Sequence, residues 1–398
     1  MYLSILVIGA GESSLGMIRT IKKMGYKAAV VGMSDSELAI SEADFYLQTQ
    51  KENLDDVIKF AKTNHVIGLV PIPVDWILMW QAKVAEALEL KFIPVSKVPN
   101  FRHKFTMKQV LQAAHIPCAK GIHITKDNFQ SIDFTQFDFP LVVKPTDGYA
   151  SRGVTVVKDS LELNQYLKEA FEFSIGGDIV IEEFIGGKEY NAEGVVFEGK
   201  VDFYAIIEKV SGAFPRTLEM GHLFPANINK AEEEIICQTV EKAVLALGME
   251  NGAFNTEIKI WNGKAYIIEV NGRLAGDFIV SHLIKPTTGR DMEAAVVNIS
   301  IGKNPGFHKL SVQKHGYIAF FNLPEQKTIE RIQTIPDLET DPDLIWWKIF
   351  YKENDITPEI KHMGHRAGFS IVTGESRNSV LEKAEYINQK LIKSITLK

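Results

Sequence analysis

The chain has 398 residues, 45% of them hydrophobic and 24% charged, with a formal net charge of −6. That length allows two or three domains, the balance is ordinary for a soluble globular enzyme, and the lack of a basic footprint argues against nucleic-acid binding. Two distant cysteines, Cys118 and Cys237, follow no metal spacing and fit a reducing cytoplasm better than a disulfide, and no run approaches the ~18 apolar residues that span a bilayer.

Leu3 to Ile8 reads as a buried strand, because the apolar Met1–Gly9 stretch is too short for a signal segment and lacks a basic flank. The turn Gly9-Ala10-Gly11-Glu12-Ser13-Ser14 follows, then a helix over Leu15 to Met24. Strands are expected at Ala28 to Gly32 and Val66 to Pro71, helices at Leu54 to Lys62 and Asp75 to Leu88, and a short strand from Phe92 to Pro94. Strands alternating with helices predict an open parallel α/β sheet over residues 1–100.

Phe101 to Ala114 reads as one helix with a basic start at Arg102, His103, Lys104 and Lys108. From about Cys118 the pattern becomes α+β. Strands are expected at Leu141 to Lys144, Gly153 to Val157, Ile179 to Glu183, Tyr190 to Phe197 and Val201 to Lys209, with helices at Leu161 to Phe171 and Glu232 to Leu247. Asn255 to Ile260 and Tyr266 to Arg273 flank the turn Trp261-Asn262-Gly263-Lys264 and read as a β-hairpin. A helix over Asp291 to Ile301 follows, then strands at Gly316 to Phe321 and Ala367 to Val372 and a closing helix from Ser379 to Ile395. Trp346-Trp347 belongs either to a pocket wall or to the core, and core residues are the commoner case.

The hairpin is the most informative segment. Glu257 and Glu269 interrupt strands of Ile and Val, where a carboxylate is expensive unless something neutralises it. Glu, Glu and the nearby Asn271 are oxygen ligands of the kind Mg²⁺ takes. Upstream, Lys144-Pro145-Thr146-Asp147-Gly148-Tyr149-Ala150-Ser151-Arg152-Gly153 leads from strand to strand through a loop able to lay backbone N–H groups over phosphates, or else to form a charged, solvated hairpin tip. Glu182-Glu183-Phe184-Ile185-Gly186-Gly187-Lys188-Glu189 ends a strand with two acids and a double-glycine turn. The lone Gly9-Ala10-Gly11 turn lacks the third glycine of a dinucleotide fingerprint, since Ser14 stands there and Gly16 comes two residues later.

Taken in order, Lys104, Lys144 with its glycine loop, Glu182 to Glu189, Glu257 and the Glu269-Val-Asn271-Gly-Arg273 run resemble the ATP-grasp superfamily, in particular its carboxylate–amine ligases of the L-amino-acid ligase type. The resemblance implies a Rossmann-like preceding domain (1–100), a two-subdomain ATP-grasp fold (101–306, lid about 118–184) and a small C-terminal α+β section (307–398). It implies ATP and two Mg²⁺ ions, with Mn²⁺ as an alternative. Lys104 and Lys144 would hold phosphates, Ser151 and Gly153 would belong to the lid, and Glu182, Glu183, Phe184 and Ile185 would line the adenine. Glu189 would bind the ribose, and Glu257, Glu269 and Asn271 would bind the metal. Arg273, Lys144 and Arg152 would serve the reacting groups. Arg216-Thr217-Leu218-Glu219-Met220-Gly221-His222 resembles a substrate segment of ligases that join amino acids, with Arg216, Glu219 and His222 as contacts, or is a structural loop. Asp277 would orient Arg273 or cap a helix entering at Phe278.

The implied reaction joins a carboxylate, activated as an acyl phosphate, to an amine, giving an amide or dipeptide, ADP and phosphate. The implied partners are small molecules, with no nucleic acid or membrane, and a homodimer is in keeping with similar enzymes. The alternatives are an ATP-grasp carboxylase resembling biotin carboxylase or the purine-pathway enzyme, an NAD(P)-dependent oxidoreductase using the Gly9–Gly11 turn, and a non-catalytic nucleotide-binding module.

Overall fold

The computed structural model describes every residue except 1, 130–131, 133–137, 213–215 and 217, so Met1 and Thr217 of the readings above lie outside the described residues. Strands β1 (Ser4–Ile8), β2 (Lys27–Gly32), β3 (Phe45–Gln48) and β4 (Val66–Val70) form a parallel sheet in the order β3-β2-β1-β4. All of β1 is buried, which is why it reads as a continuous apolar run. Helices α1 (Leu15–Lys23), α2 (Leu54–Thr63) and α3 (Leu78–Ala87) complete the unit. The strand order reverses between β1 and β4, so the loops at their carboxyl ends open a crevice. The strand expected at Phe92 to Pro94 is absent: Pro94 cannot donate to a ladder, and Ile93 instead packs into a core.

The helix expected over Phe101 to Ala114 is two helices, α4 (Val98–Arg102) and α5 (Lys104–Ala113). His103 is extended between them, and its Nδ1 accepts the Thr106 N–H at 3.2 Å, capping α5. Lys104 is thereby placed at the first turn. Next, β5 (Gly121–Thr125), β6 (Leu141–Pro145), β7 (Thr155–Val157) and β8 (Asp178–Glu183) make an antiparallel sheet in the order β5-β8-β6-β7, packed on α6 (Ser160–Phe173) through Val143, Leu163, Leu167 and Ile181.

The remaining strands are β9 (Lys188–Phe197), β10 (Lys200–Ser211), β11 (Glu219–Phe224), β12 (Asn251–Trp261), β13 (Lys264–Asn271), β14 (His315–Phe321), β15 (Ile329–Ile332), β16 (Leu344–Ile349), β17 (Gly368–Gly374) and β18 (Ile395–Leu397). Eight of them form one sheet in the order β13-β12-β9-β10-β11-β14-β17-β16. The section after residue 307 thus adds strands to the edge of the sheet that carries the Glu257/Glu269 hairpin. Helix α7 (Lys230–Ala246) covers one face, burying Tyr190, Phe254, Ile258, Ile267 and Val270. The helix expected at Phe278 is a π-helix, Ile279–Ile284, followed by α8 (Lys285–Thr288), α9 (Met292–Ser300) and the closing α10 (Arg377–Lys393). Asp277 and Phe278, just before it, both have φ in the left-handed region, at 50° and 62°. Such paired strain, and π-turns generally, concentrate at functional sites.

Candidate active site

A cavity of ≈ 1020 Å³ lies where the N-terminal crevice, the β5–β8 sheet and the eight-stranded sheet meet. Small-molecule sites usually span about 300–1,000 Å³, so there is room for a nucleotide and a second ligand.

Its floor is a polar grid on the face of the large sheet opposite α7. Side chains alternate along a strand, so residues two apart share a face. On β9 these are Glu189, Asn191 and Glu193, on β12 Asn255, Glu257 and Lys259, and on β13 Glu269 and Asn271. Strand register aligns them in rows: Glu193 with Asn255 and Asn271, Asn191 with Glu257 and Glu269, and Glu189 with Lys259. In the first row Asn255 donates to Glu193, and Asn271 Nδ2 donates to Asn255 Oδ1 at 3.2 Å. Burial pushes the Glu193 carboxyl up to about 8, with Glu257 and Glu219 adding to the rise and Asn255 and Arg273 opposing it.

In the second row Glu257 and Glu269 face one another. Burial, with Glu219, Glu269 and Glu189 nearby, raises Glu257 to about 7 against the opposing pull of Lys209. Burial works against the Glu269 charge too, but Lys104, 3.1 Å away, and Lys144 hold it below the usual carboxylate range. Two in-register carboxylates, one of them reluctant to ionise, beside the amide of Asn271 form a donor set that suits a hard divalent cation.

Lys209 is the hub that sequence reasoning missed. Its ammonium is almost wholly buried and pairs with Glu189, with Glu219 at 2.5 Å and with Glu257 at 3.1 Å. Burial disfavours its charge, yet the three carboxylates raise its pKa well above the ordinary value. Lys259 donates to Ile185 O at 3.1 Å and stands 4.7 Å over the Phe184 ring. The signal for Asn191, Glu193, Asn255 and Lys259 was the period-two alternation with Glu189 and Glu257. For Lys209 no such cue existed.

The structure brings most of the expected nucleotide residues together. Lys104, Lys144, Ser151, Glu182, Glu183, Phe184, Ile185 and Glu189 all line the cavity. Lys104 Nζ also donates to Gly148 O of the β6–β7 loop at 2.9 Å. Lys144 pairs with Glu182 at 2.7 Å, and although burial opposes it, Glu182 raises the Lys144 pKa. Glu182 Oε1 is buried without a hydrogen-bond partner among the described residues, an acceptor in want of a donor such as an exocyclic amine. Glu183 turns its carboxylate to Lys120 N at 2.9 Å. Gly187 makes the following turn possible: its φ is +85°, and a Cβ there would lie 1.9 Å from Ile260 O.

Four expected site residues are used otherwise. Arg152 folds back on its own loop, its guanidinium 5.0 Å over the Tyr149 ring and donating to the Tyr149 hydroxyl at 3.2 Å, and it does not line the cavity. Gly153 is likewise outside the wall, and a Cβ there would press Phe173 of α6 at 3.1 Å. Arg216 binds Glu169 of α6 at 2.8 Å and Lys361 O at 3.4 Å, so it clasps the β5–β8 unit to the C-terminal section, and it does not line the cavity. Asp277 neither orients Arg273 nor caps the π-helix. Its two oxygens take the Arg366 guanidinium at 2.8 and 2.9 Å, because the left-handed turn at 277–278 points it toward β11 and Arg366.

Arg273 does line the cavity, held bidentately by Asp75 of the N-terminal unit at 2.7 and 2.9 Å, with NH1 donating to Leu274 O. One N–H on each terminal nitrogen remains without a protein acceptor among the described residues. His222 is fully buried on β11, its Nε2 3.4 Å from Asp277 and 3.5 Å from Glu219. Glu219 to Phe224, expected to be a substrate segment or a structural loop, is strand β11. Trp346 lines the cavity, whereas Trp347 packs in the C-terminal core.

The Gly9–Gly11 turn is not disposed for a dinucleotide. Glu37 fills its amide nest, accepting from Ala10 N at 3.2 Å, Met33 N at 2.7 Å and Ser34 N at 3.0 Å. A pyrophosphate would meet a carboxylate there.

This architecture is the ATP-grasp fold, and residues 137–281 match the ATP-grasp domain family. The likeness in fold extends over the whole chain. An L-amino acid ligase from Bacillus licheniformis superposes with a TM-score of 0.85 at 21% identity, covering 100% of this chain and 99% of that one. Alanine–anticapsin ligase of Bacillus subtilis is 27% identical over 331 residues, 73% of this chain and 66% of that protein. A carbamoyl phosphate synthase large chain of Clostridium botulinum is 22% identical over 296 residues, 68% of this chain; the match spans only 26% of that protein. No helix among the described residues is long and apolar enough to cross a membrane.

Proposed function

We propose that the protein is an ATP-dependent ligase that activates the carboxylate of an amino acid as an acyl phosphate and joins it to an amine, giving an amide or dipeptide, ADP and phosphate. The observation that carries this reading is a single cavity with two chemically distinct ends. One end has Lys104 and Lys144 beside the Glu257/Glu269 pair and the orphaned acceptor of Glu182, and the other has Arg273, Glu219 and His222. The similarity to an L-amino acid ligase and to alanine–anticapsin ligase supports it.

Under this reading Lys104 and Lys144 neutralise the triphosphate so that an anionic carboxylate can approach the γ-phosphorus. The carboxylate oxygen forms a bond to that phosphorus as the β–γ bridge breaks and ADP leaves. Arg273, pre-oriented by Asp75, offers its two remaining N–H groups to the acyl phosphate. The amine then attacks the carbonyl and inorganic phosphate departs. Glu219, which also pairs with Lys209 and lies near His222, would hold the incoming ammonium. The β6–β7 loop, which meets the C-terminal section where Met363 N donates to Ala150 O at 3.4 Å, would exclude water from the intermediate. Glu257, Glu269 and Asn271 would hold Mg²⁺, with two ions expected and Mn²⁺ as an alternative. The cation supplies charge neutralisation for phosphoryl transfer.

The test is a matrix of amino-acid pairs assayed for ADP release, with mass spectrometry of the products. Condensation products that appear only with ATP and both substrates are expected. Turnover that depends on bicarbonate with a single substrate would instead identify a carboxylase. ATP binding without cleavage for any pair would identify a non-catalytic module.

A further inference from the structure

The ligase reading leaves one wall of the cavity without a role. It is built from α1, the π-helix, α9 and β16, and it carries one acid that no cation neutralises. Glu293 of α9 uses Oε2 to accept from the Thr20 hydroxyl at 2.9 Å, and no protein donor among the described residues meets Oε1. Neighbouring charges are already spent: Glu12 on Lys348 at 2.6 Å, Arg19 on Glu42, and Lys285 on Asp291. Burial pushes Glu293 up to about 7, the mark of a carboxylate short of donors.

The chain makes room for this acid on purpose-built backbone. A Cβ at position 16 would stand 2.6 Å from Glu293 Oε1, so glycine lets α1 pass without displacing the tip of that side chain. Gly16 is the glycine that falls two residues late for a dinucleotide fingerprint, and this contact gives it a use. The same cavity also carries an aromatic surface. Trp346 stacks on His282 at 4.9 Å and meets Phe278 edge-on at 4.5 Å, and all three line the cavity with Glu293, Gly16 and Glu12. Burial, with Arg19 adding, lowers the His282 pKa, so the ring is neutral near pH 7 and adds no competing cation. An aromatic surface and a lone carboxylate lining one cavity suit a chain of methylenes ending in a hydrogen-bond donor, best of all an ammonium.

We propose that Glu293 is the anchor of a substrate subsite, resting on the ligase reading, that selects an amino acid whose side chain ends in a donor (ammonium, amide or hydroxyl) over one ending in a methyl or a carboxylate. The subsite discriminates because a donor pairs Oε1, whereas a methyl leaves it unpaired and a carboxylate repels it.

The experiment compares L-lysine with L-norleucine, and L-glutamine with L-glutamate, by calorimetric binding in the presence of Mg–ADP and by turnover in the presence of ATP. Wild type is expected to favour the donor-ended member of each pair by about tenfold or more, the scale of a hydrogen bond to a charged group. Glu293→Leu should reverse the lysine–norleucine preference, and the smaller change Glu293→Gln should reduce it, with the effect in the amino-acid KM. Equal binding of both members by wild type, or an equal loss of all four ligands in both variants, would overturn the subsite. A preserved binding preference without ADP from any pair would sink the ligase reading and leave the subsite standing. Dipeptide formed as readily from norleucine as from lysine would do the reverse.

Discussion

The two ends of the cavity are built by different means. At the end that carries Lys104 and Lys144, charges ride on neighbouring strands in register, so Glu257 meets Glu269 and Glu193 meets Asn255 through the sheet's own geometry. At the other end the groups come from a loop after β4, a left-handed turn, a π-helix, α1 and β16, joined by a shared apolar core and by ion pairs such as Asp75–Arg273, Asp277–Arg366 and Glu12–Lys348. The lesson is that a site on one sheet is specified by alternation within short segments. A site at the meeting of three chain regions is specified by pairs hundreds of residues apart.

The contrast can be tested where the two ends join. Lys209→Met would leave Glu189, Glu219 and Glu257 buried without their shared cation. Urea unfolding should show a loss of about 3–5 kcal/mol, the scale for breaking a buried pair, and Lys209→Arg should restore part of it. Glu269→Ala removes one half of the in-register carboxylate pair. Steady-state assays of ADP release should show kcat down roughly 10²–10³-fold, the scale of losing one electrostatic stabiliser, with little change in folding. Full activity in that variant would sink the metal assignment.

Glu193 probes the sheet end through pH. Its folded-state value of about 8 lies above the ordinary 4.5, so the folded protein keeps a proton that the unfolded chain releases. Its contribution is full below about 4.5 and is lost as pH rises through about 8. Melting temperatures from pH 5 to 9 should therefore fall less steeply with pH in Glu193→Gln than in wild type. Arg216→Ala tests the clasp at the smallest scale. The partly buried pair with Glu169 should be worth about 1 kcal/mol, and its loss should raise ATP hydrolysis in the absence of an amine as the β5–β8 unit opens. Unchanged uncoupled hydrolysis would confine Arg216 to local packing.

Much of the fold was legible because its elements are locally consistent. The buried first strand, the β12–β13 hairpin and helices α1, α2, α6, α7 and α10 follow from apolar period and turn residues, and their ends fall within a few residues of the reading. The misses have physical causes. His103 breaks a helix because its side chain caps the next one, a competition invisible to periodicity. Strand β11 hides behind a segment rich in charge because Glu219 pairs with Lys209, and His222 Nε2 lies near Asp277 and Glu219. Arg152, expected at the phosphates from its glycine loop, and Arg216, expected at a substrate from the segment that leads to His222, instead have Tyr149 and Glu169 as their protein partners, which the sequence around them does not announce.

By itself the sequence picked out the residues that gather at one end of the cavity: two acids among β-branched residues, an asparagine and an arginine at fixed spacing, and two lysines upstream. Those assignments depend on strand alternation and on the cost of burying an unpaired charge, both local properties. Only the tertiary structure decided that Asp75 holds Arg273, that Lys209 holds three carboxylates, and that Gly16 and Trp346 meet Glu293 and His282 around one cavity. These are long-range contacts, and an ion pair or a close approach carries no trace in either partner's neighbouring residues until the chain has folded to bring them together.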